Sequence, residues 1–417
     1  MRIAVVGSGI SGMAAAYLLA PHAEVTLYEQ APQLGGHAHT ATVAFKDVTV
    51  PVDTGFMVYN PVRYPYFVAL LNDLQVTSLN TVMSFSAHIP GEVMYSSEFR
   101  GLFGNLRQCM NPRYWRMIVD IIRFNAAAKR FLQQPDPEKL LGDFLSEHRF
   151  SPELSSWYLY PMMASIWSAG TDALEKYPAY ETFRFLNNHL LLNTITKAQW
   201  KTIQGGSIRY VEALAQRLAR EGVTIRLSTP VTSVTRSTDA VTITTDNSSA
   251  TFDHVYIATH ADEALTMLHD ATHAERDVLG LFSYSSNHVV LHSDESFMPP
   301  RKNTWASWNY VEEVGATKRV ALTYYMNSLQ HIKKEYPVFV TLNPSRTPRT
   351  DLTHHTYTYA HPVFDAAARS GQARIQEIST GRTHYVGAHL GFGFHEDGIA
   401  SAVHAVQALG FPIRLSL

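Results

Sequence analysis

The sequence predicts an α/β protein in which a Rossmann-like nucleotide-binding domain is interleaved with a second domain of mixed sheet plus a helical insertion. Three observations predict it. A strand pattern, Arg2 to Val6, runs straight into GSGISG, a helix of small residues and a second strand. An aromatic-rich stretch with helical periodicity occupies the region from about Asn105 to Leu192. Strand patterns then resume and continue almost to the C-terminus.

The first unit is the most specific. Arg2 to Val6 is a short apolar run, followed at once by glycines, and reads as a buried strand rather than a signal peptide. Gly7, Gly9 and Gly12 stand in GxGxxG register, Met13 to Ala20 reads as a helix, and Ala23 to Tyr28 alternates like a strand that ends at Glu29. Gly7 allows a tight turn, Gly9 lets the backbone approach a pyrophosphate, and Gly12 lets the helix pack on the strand. The helix N-terminus offers N–H donors and a positive dipole end to phosphates. Glu29 stands where a carboxylate can accept hydrogen bonds from the adenosine ribose. A second glycine pair, Gly35 and Gly36, lies just beyond, and DTGF follows at Asp53 to Phe56. This suits an FAD lying extended across the sheet edge, its far ring held by backbone at residues such as Gly55, where an NAD site needs no such pair.

The rest of the chain supplies the second domain. Met117, Ile118, Ile121, Ile122, Ala128, Phe131 and Leu132 recur at helical spacing, and Lys139 to Leu145 and Leu154 to Ile166 also read as helices. With Trp115, Trp157, Tyr158, Tyr160 and Trp167 in the same block, a lid that is also core is expected. Gly205 and Gly206 open a helix from Arg209 to Glu221, which Gly222 ends as a C-cap. Strands at Thr224 to Leu227, Val231 to Val234, Val241 to Thr245 and Val255 to Ala258 return the chain to the nucleotide domain. Val289 to His292 and Val320 to Tyr325 read as strands of a second sheet, Pro337 to Pro362 as loop and extended chain, and Thr383 to Gly387 as a last strand. The expected organisation is 1–75, 196–280 and 375–417 for the FAD domain, with 76–195 and 281–374 forming the substrate domain and its helical lid.

Composition narrows the function. The chain has 417 residues, 46% of them hydrophobic, enough for a sizeable core. Net charge is −2 and the basic residues are scattered, which disfavours nucleic acid as a partner. A single cysteine, Cys109, excludes an intrachain disulfide and a thiolate zinc cluster and fits a reducing, cytoplasmic compartment. No uninterrupted run of about 18 apolar residues is present, so no membrane span is expected, while peripheral membrane contact stays open. His37 with His39, and His354 with His355, lack carboxylates at ligand spacing, so no metal is expected. Ser8 sits in a phosphate-binding context rather than a nucleophile elbow.

Near the C-terminus, GFGFHEDGIASA sets His395, Glu396 and Asp397 side by side. Consecutive residues on a turn rarely converge on one ion. The stretch reads instead as a glycine turn before a helix running from Gly398 to about Ala408, with acids in its first turn where the dipole favours them. Its free N–H groups are expected to meet the flavin's N1–C2=O edge.

GSGISG, Glu29, LGGH, DTGF, QGGS and this last turn, in this order, resemble the superfamily of flavin amine oxidases, phytoene desaturases and protoporphyrinogen oxidases over nearly the whole chain. DTGFMVYN, WYLYPMMASIWS, WKTIQGGSIRYV, VVLHSD, WASWNY and GFGFHEDG further resemble a bacterial amine-oxidase-like branch often encoded beside cyclopropane-fatty-acid-synthase-like methyltransferases. The resemblance implies that Gly7, Ser8, Gly9, Ile10, Ser11 and Gly12 cradle the FAD pyrophosphate. It places Glu29 and Gln30 at the adenosine ribose, and Gly35, Gly36 and His37 along the path to the ribityl chain. Thr54, Gly55, Phe56 and Met57 would lie along the flavin, Val231 would offer backbone to the adenine, and Phe394, His395, Glu396, Asp397, Gly398 and Ile399 would hold the pyrimidine end. Relatives carry an acid after the last strand; here the place reads Gly387-Ala388-His389, and Glu396 or Asp397 could take its role. With Cys109 far from the C-terminal domain, the FAD is expected to be noncovalent.

The expected activity is an FAD-dependent oxidoreductase that takes a hydride from a C–H bond of an apolar, fatty-acyl-like substrate, with O2 or another acceptor reoxidising the flavin. The alternatives are a flavin amine oxidase and, from another class, an FAD-binding partner of a lipid-modifying methyltransferase. Tyr59, Asn309 and Tyr310 are the substrate-pocket candidates, with Asn60, His288 and Trp308 considered beside them. No protein acid or base is required for hydride loss to flavin, so no catalytic residue is assigned.

Overall fold

The computed structural model describes residues 1–167, 171–193, 199–312, 320–379 and 381–415. The expected boundary at 195/196 and Ser168, the end of WYLYPMMASIWS, lie outside them.

The nucleotide half is built on a five-stranded parallel sheet in the order Thr383–Tyr385, His254–Ile257, Arg2–Val6, Glu24–Tyr28, Thr224–Arg226. Parallel strands covered on both faces are apolar throughout, and Ile3, Ala4, Val5 and Val6 are all buried. On one face lies the helix Ile10–Leu19, whose ten residues are all buried. The helices Ile208–Arg220 and His395–Ala408 pack against it. The opposite face carries an antiparallel sheet, Val231–Arg236, Val241–Thr245 and Ser248–Phe252, and its apolar cluster. The first helix starts at Ile10 rather than Met13, because Gly9 is extended (φ −63°, ψ 178°) and serves as its N-cap.

The second half is a seven-stranded sheet in the order Thr353–Pro362, Tyr284–His292, Phe339–Leu342, Val320–Tyr325, Trp308–Glu312, Phe85–Ile89, Val93–Ser96. Here the sequence reading is corrected. Pro337 to Pro362, expected as loop and extended chain, contains two strands, one of them ten residues long. The longer one forms the sheet edge, where a Pro-terminated, Thr-rich strand gives up no ladder hydrogen bond. Two antiparallel pairings were also missed: the hairpin of Thr40–Ala44 with Thr49–Asp53, and the long-range pair of Ser78–Thr81 with Trp200–Ile203.

The helical insertion follows Val93–Ser96. Its 20-residue helix Pro112–Phe131 packs with Leu141–Glu147, with the continuous Leu154–Leu159 and Tyr160–Trp167 segment, and with Ala179–Asn188, around Phe124, Phe144, Met163 and Phe183. Among the described residues, no helix is long and apolar enough to cross a membrane.

Candidate cofactor and active site

The three glycines of GSGISG divide the expected tasks between them. Gly7 is left-handed (φ +98°), and its N–H bonds Tyr28 O at 2.9 Å. A side chain at Gly12 would collide with Gly7 O, so only glycine lets the helix sit this close to the strand. At Gly9 an added Cβ would meet nothing within 4 Å. The one glycine assigned to the pyrophosphate therefore borders open space at a helix N-terminus.

Glu29 closes one end of this loop. Its carboxylate accepts Ser8 N (2.9 Å) and Ser8 Oγ (2.6 Å) on one oxygen and Ala31 N (2.8 Å) on the other. Thr229 N bonds Glu29 O at 2.9 Å, which brings the Thr229–Val231 turn beside it, while Gln30 is exposed next door. A carboxylate offers about four acceptor positions, so one remains for a ribose hydroxyl.

The second glycine pair abuts the first loop. Gly35 N bonds Ser8 O at 3.1 Å, and a Cβ on Gly36 would stand 3.1 Å from Gly9 Cα. His37 follows, and its carbonyl accepts Phe56 N at 2.9 Å; Gly55 has to be glycine because a side chain would strike that same carbonyl. Its imidazole Nε2 is buried without a partner, and burial, with His361 and His260 nearby, holds it down at about 4. The buried Nδ2 of Asn60 also lacks a partner. Asp53, one residue before Thr54, anchors the DTGFM turn. It accepts Thr40 Oγ (2.6 Å), Ser207 N and Ser207 Oγ (both 2.8 Å), and exchanges two hydrogen bonds of 2.9 Å with the Gln330 amide. Met57 is buried against the second sheet, and its carbonyl accepts Thr202 Oγ at 2.9 Å.

The three consecutive polar residues at the C-terminal turn point three ways. His395 stacks on Phe56 with ring centroids 3.5 Å apart, and its Nε2 meets Tyr210 OH at 2.9 Å. Burial, then His37, keeps it neutral at about 3. Glu396 accepts Tyr66 N and Phe67 N. Asp397 turns back to accept Phe394 N at 2.9 Å. Burial raises the two carboxyls to about 7 and about 6. Two expectations are corrected. The helix begins at His395, not Gly398, because Asp397 caps the turn before it; Gly398 N is already bonded to Phe394 O at 3.1 Å. The N–H groups without an intrahelical acceptor are thus those of His395, Glu396 and Asp397. Both acids are committed within the chain, so neither replaces an acid at Gly387–His389. There His389 is buried between Phe282 and Tyr284 and held at about 3 by burial.

The two helix N-termini meet. A Cβ on Gly398 would stand 2.7 Å from both Ile10 Cγ2 and Ser11 Oγ, and Ile399 is buried in the same cluster as Ile10. The open backbone at Gly9, the two orphaned buried nitrogens and the paired helix ends fit FAD as the group this site holds.

The sequence agrees. It matches the model for flavin containing amine oxidoreductases over residues 10–326. The chain belongs to that family. It is an FAD-dependent oxidoreductase. No curated protein matches the sequence. Three solved structures share the fold of this chain. A CLA-producing fatty acid isomerase from P. acnes has a TM-score of 0.71 at 15% identity, with 98% of each chain covered. Cyclohexylamine oxidase from Brevibacterium oxydans IH-35A has 0.71 at 16%, covering 98% of this chain and 99% of that one. Putrescine oxidase bound to putrescine has 0.68 at 13%, with the same coverage.

Cross-strand register sets Phe85, Trp308 and Tyr324 in one row on one face of the second sheet. The Trp308 and Tyr324 rings meet edge-on at 5.7 Å. Tyr158, from the insertion, packs near Phe85. His189 and Phe185 lean on the C-terminal turn, with His189 4.4 Å from Phe394 and Phe185 5.9 Å from Phe392. Burial alone raises the Tyr158 phenol to about 12 and lifts Tyr324 further still. Both keep some accessible surface despite this depth.

The substrate candidates read from sequence lie elsewhere. Tyr59 is core, its OH bonded to Ser78 Oγ at 2.9 Å. The Asn309 amide is used up by Ala306 and Thr323, on the opposite face of the sheet from Trp308. Tyr310 is buried in a cluster with Trp157 and Met117, and His288 is exposed. Tyr324, Phe85 and His189 were not singled out. Strand alternation in Val320–Tyr325 would have paired Tyr324 with Trp308 once the strand order was known.

Proposed function

We propose that this enzyme oxidises a C–H bond of an apolar substrate of fatty-acyl type, with Gly7–Gly12, Glu29, Gly35–His37, Thr54–Met57, Val231 and Phe394–Ile399 holding FAD noncovalently. The shared fold admits both classes, since its relatives include a fatty acid isomerase and two amine oxidases. Aromatic side chains carry the choice. Phe85, Trp308 and Tyr324 form one aromatic row with Tyr158 packed near it, and burial alone lifts the Tyr158 and Tyr324 phenols. An acyl chain gains from burial against such a row, whereas an ammonium ion meets no carboxylate among these four side chains.

Bound FAD supplies the two-electron acceptor for the hydride. The chain's own residues orient the substrate and exclude water. The N–H groups of His395, Glu396 and Asp397, at a positive helix end, support negative charge on a neighbouring ring. A second reading keeps a specific observation: the edge-on Trp308–Tyr324 pair could hold an amine by its ring faces.

Anaerobic titration of the purified holoenzyme distinguishes them. Bleaching of the flavin band by long-chain acyl substrates, and not by alkyl or aryl amines, is expected. Bleaching by amines alone overturns the proposal in favour of an amine oxidase. A flavin reduced by neither points to an FAD-binding partner role.

A further inference from the structure

Half of the strongly exposed large apolar side chains among the described residues fall in one short stretch. Phe99, Leu106 and Met110 are 77%, 80% and 76% exposed, and Trp115, Val119 and Ile122 join them. The first three come from the helix Phe99–Phe103, the helix Leu106–Cys109 and the residue after it. The other three stand at i, i+4 and i+7 on Pro112–Phe131, which makes one stripe. Ring contacts join the pieces: Phe99 to Phe103 at 5.2 Å and Phe103 to Trp115 at 6.0 Å. Trp115 Nε1 is satisfied by Cys109 O at 2.6 Å. The inner side of the same long helix buries Tyr114, Met117 and Phe124. Pro112–Phe131 is therefore apolar on two sides, and only one of them is covered.

Two cations on this face are left over from ion pairing. From Glu98 to Arg123 the sequence has Arg100, Arg107, Arg113, Arg116 and Arg123 against Glu98 and Asp120. Arg113 pairs with Glu92 and Glu153, Arg116 with Glu153, and Arg123 with Asp120. Arg100 and Arg107 are exposed and make no ion pair among the described residues.

We propose that this face docks the protein onto an anionic lipid bilayer, with Phe99, Leu106, Met110 and Trp115 entering the headgroup–acyl boundary and Arg100 and Arg107 on lipid phosphates. Exposed aromatic and long aliphatic side chains with two unpaired cations among them match an interfacial membrane surface. A second copy of this chain fits poorly, because a two-fold contact would set Arg100 and Arg107 against the same pair of the other copy. The proposal stands apart from the substrate reading.

Flotation of the purified holoprotein with phosphatidylcholine vesicles, with and without phosphatidylglycerol, tests it. The wild type is expected to float with the anionic vesicles, less as salt is raised. Phe99→Ser/Leu106→Ser/Met110→Ser should reduce vesicle binding about tenfold or more. Arg100→Glu/Arg107→Glu should abolish the preference for phosphatidylglycerol. All five positions are exposed, so flavin content and melting temperature should stay unchanged, and the arginine pair serves if the apolar triple misfolds. Failure of the wild type to float, or equal flotation of all three proteins, overturns the proposal. A wild-type dimer that the apolar triple converts to monomer, seen by light scattering, also overturns it and makes the face a subunit contact. Flotation needs no turnover, so either result leaves the substrate assignment to its own titration.

Discussion

The carboxylate of Glu396, in the first turn of the C-terminal helix, accepts the backbone N–H groups of Tyr66 and Phe67, the former 330 residues earlier in the chain. It thus caps the helix Pro65–Asp73 from outside. Glu396→Ala strands both donors, and a loss of about 1–3 kcal/mol in unfolding free energy is expected by chemical denaturation. A change within error would show that water replaces the cap.

The same residue sets a pH dependence. Burial lifts its carboxyl from 4.5 to about 7, so across that window the folded chain holds a proton that the unfolded chain has released. The stabilisation from this group is complete below 4.5 and is lost as pH rises through about 7. Glu396→Gln cannot titrate. Denaturant midpoints should therefore fall less in the variant than in the wild type between about pH 5 and about pH 8.

Buried imidazoles act with the opposite sign. His395 is held at about 3 and His37 at about 4, both by burial first, against 6.5 when unfolded. The unfolded chain takes up protons that the folded chain refuses. Stability is present above 6.5 and is lost as pH falls from there toward about 4. His395→Phe keeps a ring against Phe56 and removes the titrating group, so its melting temperature should drop less than the wild type's between about pH 7 and about pH 5. Parallel curves would remove His395 from the acid response.

Gly9 and Gly12 separate binding from folding. A side chain at Gly9 enters open space with an ordinary backbone conformation, whereas one at Gly12 runs into Gly7 O. Gly9→Val should melt like the flavin-stripped wild type and lose bound flavin, read from absorbance near the flavin band. Gly12→Val should fail to accumulate as folded protein. A flavin-replete Gly9→Val would place the phosphates elsewhere.

Gln330 of the second half grips Asp53 of the first through two hydrogen bonds, just before the turn assigned to the flavin. Burial raises Asp53 to about 6 despite the Thr40 and Ser207 hydrogen bonds. Gln330→Ala leaves a buried N–H and a carboxyl oxygen unpaired. A cost of about 1–3 kcal/mol and faster FAD dissociation, followed by the recovery of free-flavin fluorescence, are expected.

How far the sequence revealed this structure follows from the range of the contacts. GSGISG, Glu29 and LGGH act through neighbours in the chain, so glycine spacing and strand alternation were enough to read them. The strand Thr353–Pro362, at the end of a stretch rich in Pro and Thr, was not readable as one, because its pairing with Tyr284–His292 supplies the order that the composition of that stretch disfavours. The row of Phe85, Trp308 and Tyr324 depends on the spatial order of three strands, which alternation alone does not give. Tyr59 and Asn309 looked functional because they are polar, and only packing showed that their polar atoms are already engaged.

All ten residues of the helix Ile10–Leu19 are buried, and part of what buries them is the helix His395–Ala408. During synthesis the first helix emerges long before its cover. Until the helix His395–Ala408 leaves the ribosome, one side of a mostly apolar rod is left uncovered and the nucleotide loop lacks its opposing wall. Newly made molecules therefore pass through a stage that invites chaperone capture or aggregation. Flavin uptake then becomes a check that synthesis has passed this helix, and chains that stop short of His395 would be recognisable to quality control by the surface they leave bare.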